Sequence, residues 1–100
     1  MTITLTEYEI LKRIQTSGVT IITQCTYTNS NRKPYGKREM NACWELVRRG
    51  WVMIVTENVV TTRIAQFSTR QIIEIKLRAG KLYPEDWIRS LIKEEELAAS

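Results

Sequence analysis

The sequence predicts an α+β fold with the order helix, strand, helix, β-hairpin, helix, followed by an additional C-terminal helix. Residues 37–49 repeat apolar side chains with the period of a helix, and Trp44 is expected on the face that enters the core. The run Arg48-Arg49-Gly50 is typical of a helix C-terminus. Residues 51–67 are rich in β-branched side chains, which favours a hairpin directly after this helix.

Length and composition predict a single domain. The chain has 100 residues, of which 43% are hydrophobic, enough for one core. We place that core in residues 5–79, a C-terminal helix at 84–93 and a frayed end at 94–100. No apolar run approaches the roughly 20 residues that a membrane-spanning helix needs, and the N-terminus lacks the pattern of a secretory signal. A cytoplasmic protein with no membrane association is the expectation.

The first helix is predicted over residues 5–15. Thr6 is expected as its N-cap, because Glu9 follows three residues later and the two would form a capping box. Leu5 and Ile10 have the spacing of a hydrophobic staple across the same helix start.

A strand is predicted over residues 19–27, after Gly18 ends the first helix. Its alternation places four residues on one face, Val19, Ile21, Cys25 and Tyr27. Gln24 and most of the threonines lie on the other face. Residues 28–36 form a polar loop punctuated by proline and glycine.

The second half of the chain is predicted to contain a short hairpin and two helices. Glu57-Asn58 is expected as the hairpin turn, between strands at 51–56 and 59–67. Residues 68–79 are expected to form a helix, because Ser68 followed by Gln71 repeats the capping-box spacing. The last helix should begin at Pro84. Its apolar stripe, expected either to dock on the domain or to form a dimer contact, is Trp87, Ile88, Leu91 and Ile92.

The residue types argue against catalysis and metal binding. The chain has no histidine and only two cysteines, so the usual general base and the common zinc ligand sets are missing. Cys25 and Cys43 are expected to be small buried hydrophobic residues. The carboxylates form no convincing catalytic pair. We therefore expect no enzyme activity, no metal and no cofactor.

Positive charge is concentrated in the body of the chain. Residues 1–83 hold 13 Lys or Arg and 6 Asp or Glu, whereas residues 84–100 hold 2 and 5. A basic body suggests a polyanionic partner, although a charged loop can also be merely solvated.

The pattern of elements resembles a reduced winged-helix domain, the helix-turn-helix-like fold of small bacterial and phage DNA-binding proteins. The resemblance rests on Leu46, on the run from Arg48 to Val52 and on the run from Phe67 to Thr69, and it covers about residues 5–79. A full winged helix has a supporting helix before the recognition helix. Residues 28–36 are too short and too rich in Pro, Gly and Asn to supply it.

The resemblance implies double-stranded DNA as the partner and transcription regulation as the role. Phosphate or base contacts would come from the loop, the central helix and the wing. The candidate residues are Asn29, Asn31, Arg32, Lys33, Tyr35, Lys37, Arg38, Asn41, Glu45 and Arg63. Arg48 and Arg49 are expected to cap the helix rather than contact a ligand, and Trp51 to pack the sheet against the helices.

A second hypothesis is a phage or mobile-element inhibitor of the anti-CRISPR or host-takeover type. Such a protein would place the same surface in an acidic groove of a nucleic-acid-handling protein. The missing supporting helix and the single cation expected in the wing, Arg63, favour this alternative. A third hypothesis is an assembly or toxin–antitoxin component that forms a homodimer through residues 84–92.

Overall fold

The computed structural model describes residues 2–99, which form three helices and one three-stranded antiparallel sheet. The elements are α1 (Leu5–Ser17), β1 (Val19–Thr28), α2 (Lys37–Arg48), β2 (Val52–Ala65), β3 (Ser68–Ala79) and α3 (Glu85–Ala98). The strand order in the sheet is β1-β3-β2, so β3 is the central strand. The α+β class and the order helix, strand, helix, hairpin are confirmed.

α1 begins at Leu5 as predicted, but its N-cap lies two residues before the predicted Thr6. Thr4 is the N-cap, and the capping box pairs its hydroxyl with the backbone N–H of Glu7 at 3.1 Å. Two overlapping segments have the Thr-x-x-Glu spacing, one starting at Thr4 and one at Thr6. The prediction used the second, whereas the structure uses the first. Leu5 is 70% exposed, so the predicted staple with Ile10 is wrong. Gly18 ends the helix with φ +82°, as predicted.

The core lies between one face of the sheet and the helices. Ile22 on β1 is directly opposite Ile75 on β3, and both side chains are fully buried. The other face leaves Val19 and Ile21 exposed by 40% and 52%. The helices supply most of the cluster that covers Ile22 and Ile75, with Ile10, Leu11, Ile14, Met40, Cys43, Leu46 and Ile88.

Trp44 does not belong to this core. Its side chain is 43% exposed, so the prediction that it is buried is wrong. Met40, Cys43 and Leu46 define the buried side of α2, and Trp44 lies at its margin. Trp51 is 8% exposed and packs edge-on against Trp87, with ring centroids 6.0 Å apart, as its predicted packing role requires.

The hairpin is much longer than predicted. β2 continues through Glu57 and Asn58 to Ala65, and the chain reverses at Gln66 and Phe67. The predicted turn at Glu57-Asn58 is therefore wrong. Asn58 pairs with Glu74 inside the ladder, because the β-branched residues on both sides of it favour extended backbone.

The helix predicted at 68–79 is also wrong, since these residues form β3. Ile73, Ile75 and Leu77 alternate with Glu74, Lys76 and Arg78, which is the period of a strand with one buried face. Ser68 does not cap a helix; its hydroxyl donates to the backbone carbonyl of Asn29.

α3 packs against α1 and is longer than predicted. Tyr83 anchors the preceding turn by donating its hydroxyl to the Leu11 carbonyl at 2.8 Å, and burial raises the pKa of Tyr83 to about 12. The helix extends to Ala98, so the predicted fraying from residue 94 is wrong. Glu95 forms an ion pair with Lys12 on α1.

Candidate functional site

The loop that carries most candidate residues is tied to the hairpin turn. Asn29 adopts a left-handed backbone with φ 55°, and its side-chain amide donates to the Phe67 carbonyl at 3.0 Å. The backbone carbonyl of Asn29 accepts from the Ser68 hydroxyl. Asn29, predicted as a ligand contact, therefore uses its side-chain N–H and its backbone carbonyl to hold the loop against the turn.

From the turn, the loop runs back along the outer edge of β1. Tyr35 and Cys25 exchange two backbone hydrogen bonds of 2.9 and 3.0 Å. Asn31, Arg32 and Lys33, which lie between these two attachments, are exposed. The Tyr35 side chain is 55% exposed, so the loop presents polar, basic and aromatic groups to solvent.

The start of α2 is fixed by a close backbone contact. Gly36 has φ +83°, and a Cβ at this position would lie 2.1 Å from the Thr23 carbonyl oxygen. Only glycine fits both the conformation and the space. This contact between Gly36 and β1 fixes the position of the first turn of α2, which carries Lys37 and Arg38.

Charge is segregated in the segments that the turn and the loop bring together. Residues 26–38 and 58–73 contain six Lys or Arg and no Asp or Glu. Four of these cations lie around the hairpin turn, and we call them the basic end: Arg32, Lys33, Arg63 and Arg70. Arg63 is opposite Thr69, and Thr69 is opposite Thr28, so Arg63 flanks the turn on the β2 side.

Arg70 was not among the predicted site residues. It is opposite Tyr27 on β1, whose hydroxyl interacts with the Cys25 thiol and with the Arg32 guanidinium. The Cys25 interaction is the largest influence on Tyr27 and raises the pKa of its hydroxyl. The Nε of Arg70 is shielded from solvent and has no hydrogen-bond partner within residues 2–99. Arg32 thus interacts with the Tyr27 hydroxyl, and Arg70 lies opposite Tyr27 on the neighbouring strand.

The remaining candidates on α2 lie in a separate groove. Lys37, Arg38, Asn41 and Glu45 line a groove of about 820 Å³ between α2 and the start of α1. Lys37, Arg38 and Asn41 are exposed along it. The structure therefore divides the predicted residues between this groove and the basic end.

Glu45 is committed to contacts within α2. Its carboxylate accepts from the Nε of Arg48 at 3.0 Å and from the Nε of Arg49 at 3.2 Å. These guanidinium contacts, with that of Arg48 the largest, lower the pKa of Glu45 to about 2. Arg49 also lies over the Trp51 ring at 5.1 Å. The arginine pair has a structural role, and both carboxylate oxygens of Glu45 already accept hydrogen bonds from it.

The predicted dimer stripe on α3 is used within the chain. Ile88 is fully buried, and Trp87, Leu91 and Ile92 pack against the core cluster. Docking on the domain, one of the two predicted roles, accounts for their burial.

Comparison with protein-family models, curated proteins and solved structures gives no match to this chain. Within residues 2–99, no group of three or more His, Cys, Asp or Glu side chains is placed to hold a metal ion. None of the three described helices is long and apolar enough to cross a membrane.

Proposed function

We propose that this protein binds double-stranded DNA through the basic end. The observation that carries the proposal is the separation of charge: the segments forming this end hold cations and no carboxylates, whereas residues 84–100 carry a net negative charge. A surface with this charge attracts phosphates and releases their counterions. Arg32 and Arg70 are suited to bidentate phosphate contacts, while Lys33 and Arg63 extend the positive surface.

The finer part of the proposal is a reduced winged-helix unit with β2 and β3 as the wing. Its support is the order of elements, a helix entering a hairpin through a glycine turn, and the long hairpin itself. In this proposal the wing makes the main contacts. The loop at 29–36 takes the place of the supporting helix of a full winged-helix domain, so insertion of α2 in the major groove is not part of the proposal.

The test is binding of the purified protein to a random-sequence duplex, measured by fluorescence anisotropy across a salt series. Four phosphate contacts would give a slope of log affinity against log salt of roughly −3 to −4. Arg32→Ala with Lys33→Ala should reduce that slope by about 2 for every duplex sequence.

A matched control removes the same charge elsewhere. Lys81→Ala with Lys93→Ala changes two exposed lysines outside the basic end, and its salt slope should stay close to that of the unmodified protein. Absence of binding at low salt, or equal loss in the two double variants, would contradict the proposal.

The second candidate is an inhibitor that binds an acidic groove of a nucleic-acid-handling protein through the surface around Lys37 and Arg38. The observation in its favour is the groove between α1 and α2, where Lys37 and Arg38 stand beside the exposed Leu5. In that case Lys37→Ala with Arg38→Ala should abolish capture of one defined host protein from nuclease-treated lysate. Duplex binding would be weak in every variant.

A further inference from the structure

The outer edge of β2 is open along its length. In the sheet order β1-β3-β2, this strand pairs with β3 alone among the described residues. Every side chain from residue 55 to residue 63 is exposed. Half of the backbone N–H and C=O groups of an edge strand point away from the sheet, which makes such an edge a template for another strand.

The central stretch of β2 lacks the residues that usually protect an edge. Register shifts occur between Ile54 and Thr56 and between Arg63 and Ala65, so residues 56–63 form a regular segment between two irregular ones. This segment contains no lysine, proline or glycine. Val59 and Val60 are 53% and 56% exposed, and β-branched residues are favoured in paired strands.

The two charges of this segment are placed symmetrically. Glu57 and Arg63 each lie three residues from Val60, and they are its only charged residues. If two copies of the segment pair antiparallel with Val60 opposite Val60, then Glu57 of each copy is opposite Arg63 of the other. Opposite charges at directly opposed positions stabilise a strand pair, and like charges destabilise it.

We propose that β2 is a dimerisation edge whose occupant is β2 of a second copy of this chain, paired antiparallel about Val60. The product is a continuous six-stranded sheet with the order β1-β3-β2-β2-β3-β1. A parallel arrangement in register would instead place Glu57 against Glu57 and Arg63 against Arg63. The charge pattern therefore selects the antiparallel dimer.

The dimer also relates the two basic ends. The two-fold axis of an antiparallel strand pair is perpendicular to the sheet, so equivalent faces of both copies lie on the same side. Tyr27 and the directly opposed Arg70 of both copies would then share one face of the six-stranded sheet.

The experiment is sedimentation analysis of the full chain across a range of concentrations. The unmodified protein should reach twice its monomer mass of 11.7 kDa. Glu57→Arg and Arg63→Glu each place like charges opposite each other at two symmetric positions, so either one should weaken dimerisation at least tenfold. The double variant Glu57→Arg with Arg63→Glu reverses both charges and should return to within a few-fold of the original.

Glu94→Arg and Lys81→Glu are the controls for the change in net charge. These exposed positions lie outside β2 and reproduce the same changes in net charge, so both variants should dimerise normally. A chain that stays at 11.7 kDa at every concentration would overturn the proposal. Single variants that dimerise as well as the original would do the same, and failure of the double variant to recover would overturn the register about Val60.

Discussion

The side-chain amide of Asn29 donates a hydrogen bond to the backbone carbonyl of Phe67 at 3.0 Å, and this contact joins the loop after β1 to the hairpin turn. Residues 38 positions apart in sequence are held at the same end of the molecule. The arrangement of the basic end therefore rests on this hydrogen bond together with the one from the Ser68 hydroxyl to the Asn29 carbonyl, next to the Thr28–Thr69 strand pair.

Replacing Asn29 tests this dependence. Asn29→Gly preserves the left-handed backbone but removes the amide, and we expect a loss of about 1 kcal/mol in local stability. Exchange of the Tyr35 and Cys25 amides should become roughly fivefold faster, as measured by hydrogen exchange with NMR detection. Asn31→Gly, in the exposed part of the same loop, is the control and should leave Cys25 protected. Equal acceleration by both variants would show that the Asn29 contact does not hold the loop.

Two glycines with nearly equal φ should respond differently to alanine. Gly18, at φ +82°, has no atom within 4 Å of an added Cβ, whereas Gly36, at φ +83°, would place that Cβ 2.1 Å from the Thr23 oxygen. Gly18→Ala should cost only the left-handed conformation, about 1–2 kcal/mol. Gly36→Ala must also move backbone and should cost more, on the order of 3 kcal/mol or above. Thermal or urea unfolding measures both, and equal losses would show that the sheet yields at Thr23.

Thiol reactivity should report on unfolding. Cys25 and Cys43 are both free and buried. Burial, with a smaller contribution from Glu57, raises the pKa of Cys43 to about 11, so its reactive thiolate is scarce at neutral pH. We expect no rapid reaction of either thiol with Ellman's reagent in the folded protein, and two equivalents after denaturation. Prompt reaction of one equivalent in the native state would mean that one of these sites opens without global unfolding.

The Glu45 ion pairs predict a defined loss of stability in acid. Contacts with Arg48 and Arg49 lower the pKa of this carboxyl from 4.5 to about 2 in the folded protein. Folding therefore favours the ionised form, so the contribution is fully present above pH 4.5 and is lost as the pH falls from 4.5 towards 2. Because the group is exposed, the effect is small.

The comparison variant is Glu45→Gln, which cannot ionise. Its melting temperature should lie slightly below that of the unmodified protein at pH 6, and the two curves should converge by about pH 2, where Glu45 is protonated. Arg48→Gln should show a similar convergence, because it removes the main partner. A constant difference across the whole range would assign the loss to side-chain packing instead.

The elements that sequence predicted correctly are those whose signals agree with one another. In α2, apolar period, basic last turn and Gly50 all indicate the same helix, and it is present. In β3 two signals conflict: Ser68 and Gln71 have capping-box spacing, whereas Ile73, Ile75 and Leu77 alternate as in a strand. The capping signal is local, while the alternation reflects burial against the helices. Residues 68–79 form a strand because that conformation buries Ile75 and Leu77 against the helices.

The candidate site was predictable in composition but not in assembly. The basic loop is visible in the sequence, since Arg32 and Lys33 lie together in a polar stretch. Arg70 could not be placed beside them, because its position opposite Tyr27 follows only from the β1–β3 register. If residues 68–79 had been predicted as a strand, Arg70 could have been considered as a neighbour of β1 and of the basic loop.

The position of β3 between its two neighbours also sets the order in which the chain can acquire its sheet. β1 has no strand partner until residues 69–78, which lie 41 to 59 positions downstream, have been synthesised. The β2–β3 hairpin joins neighbouring segments and can form early. β1 can pair with β3 only after the intervening α2 and β2 have been synthesised. Such distant pairing slows folding. A nascent chain that stalls before residue 68 would expose β1 and β2 without their common partner β3, and unpaired strand edges are prone to aggregate.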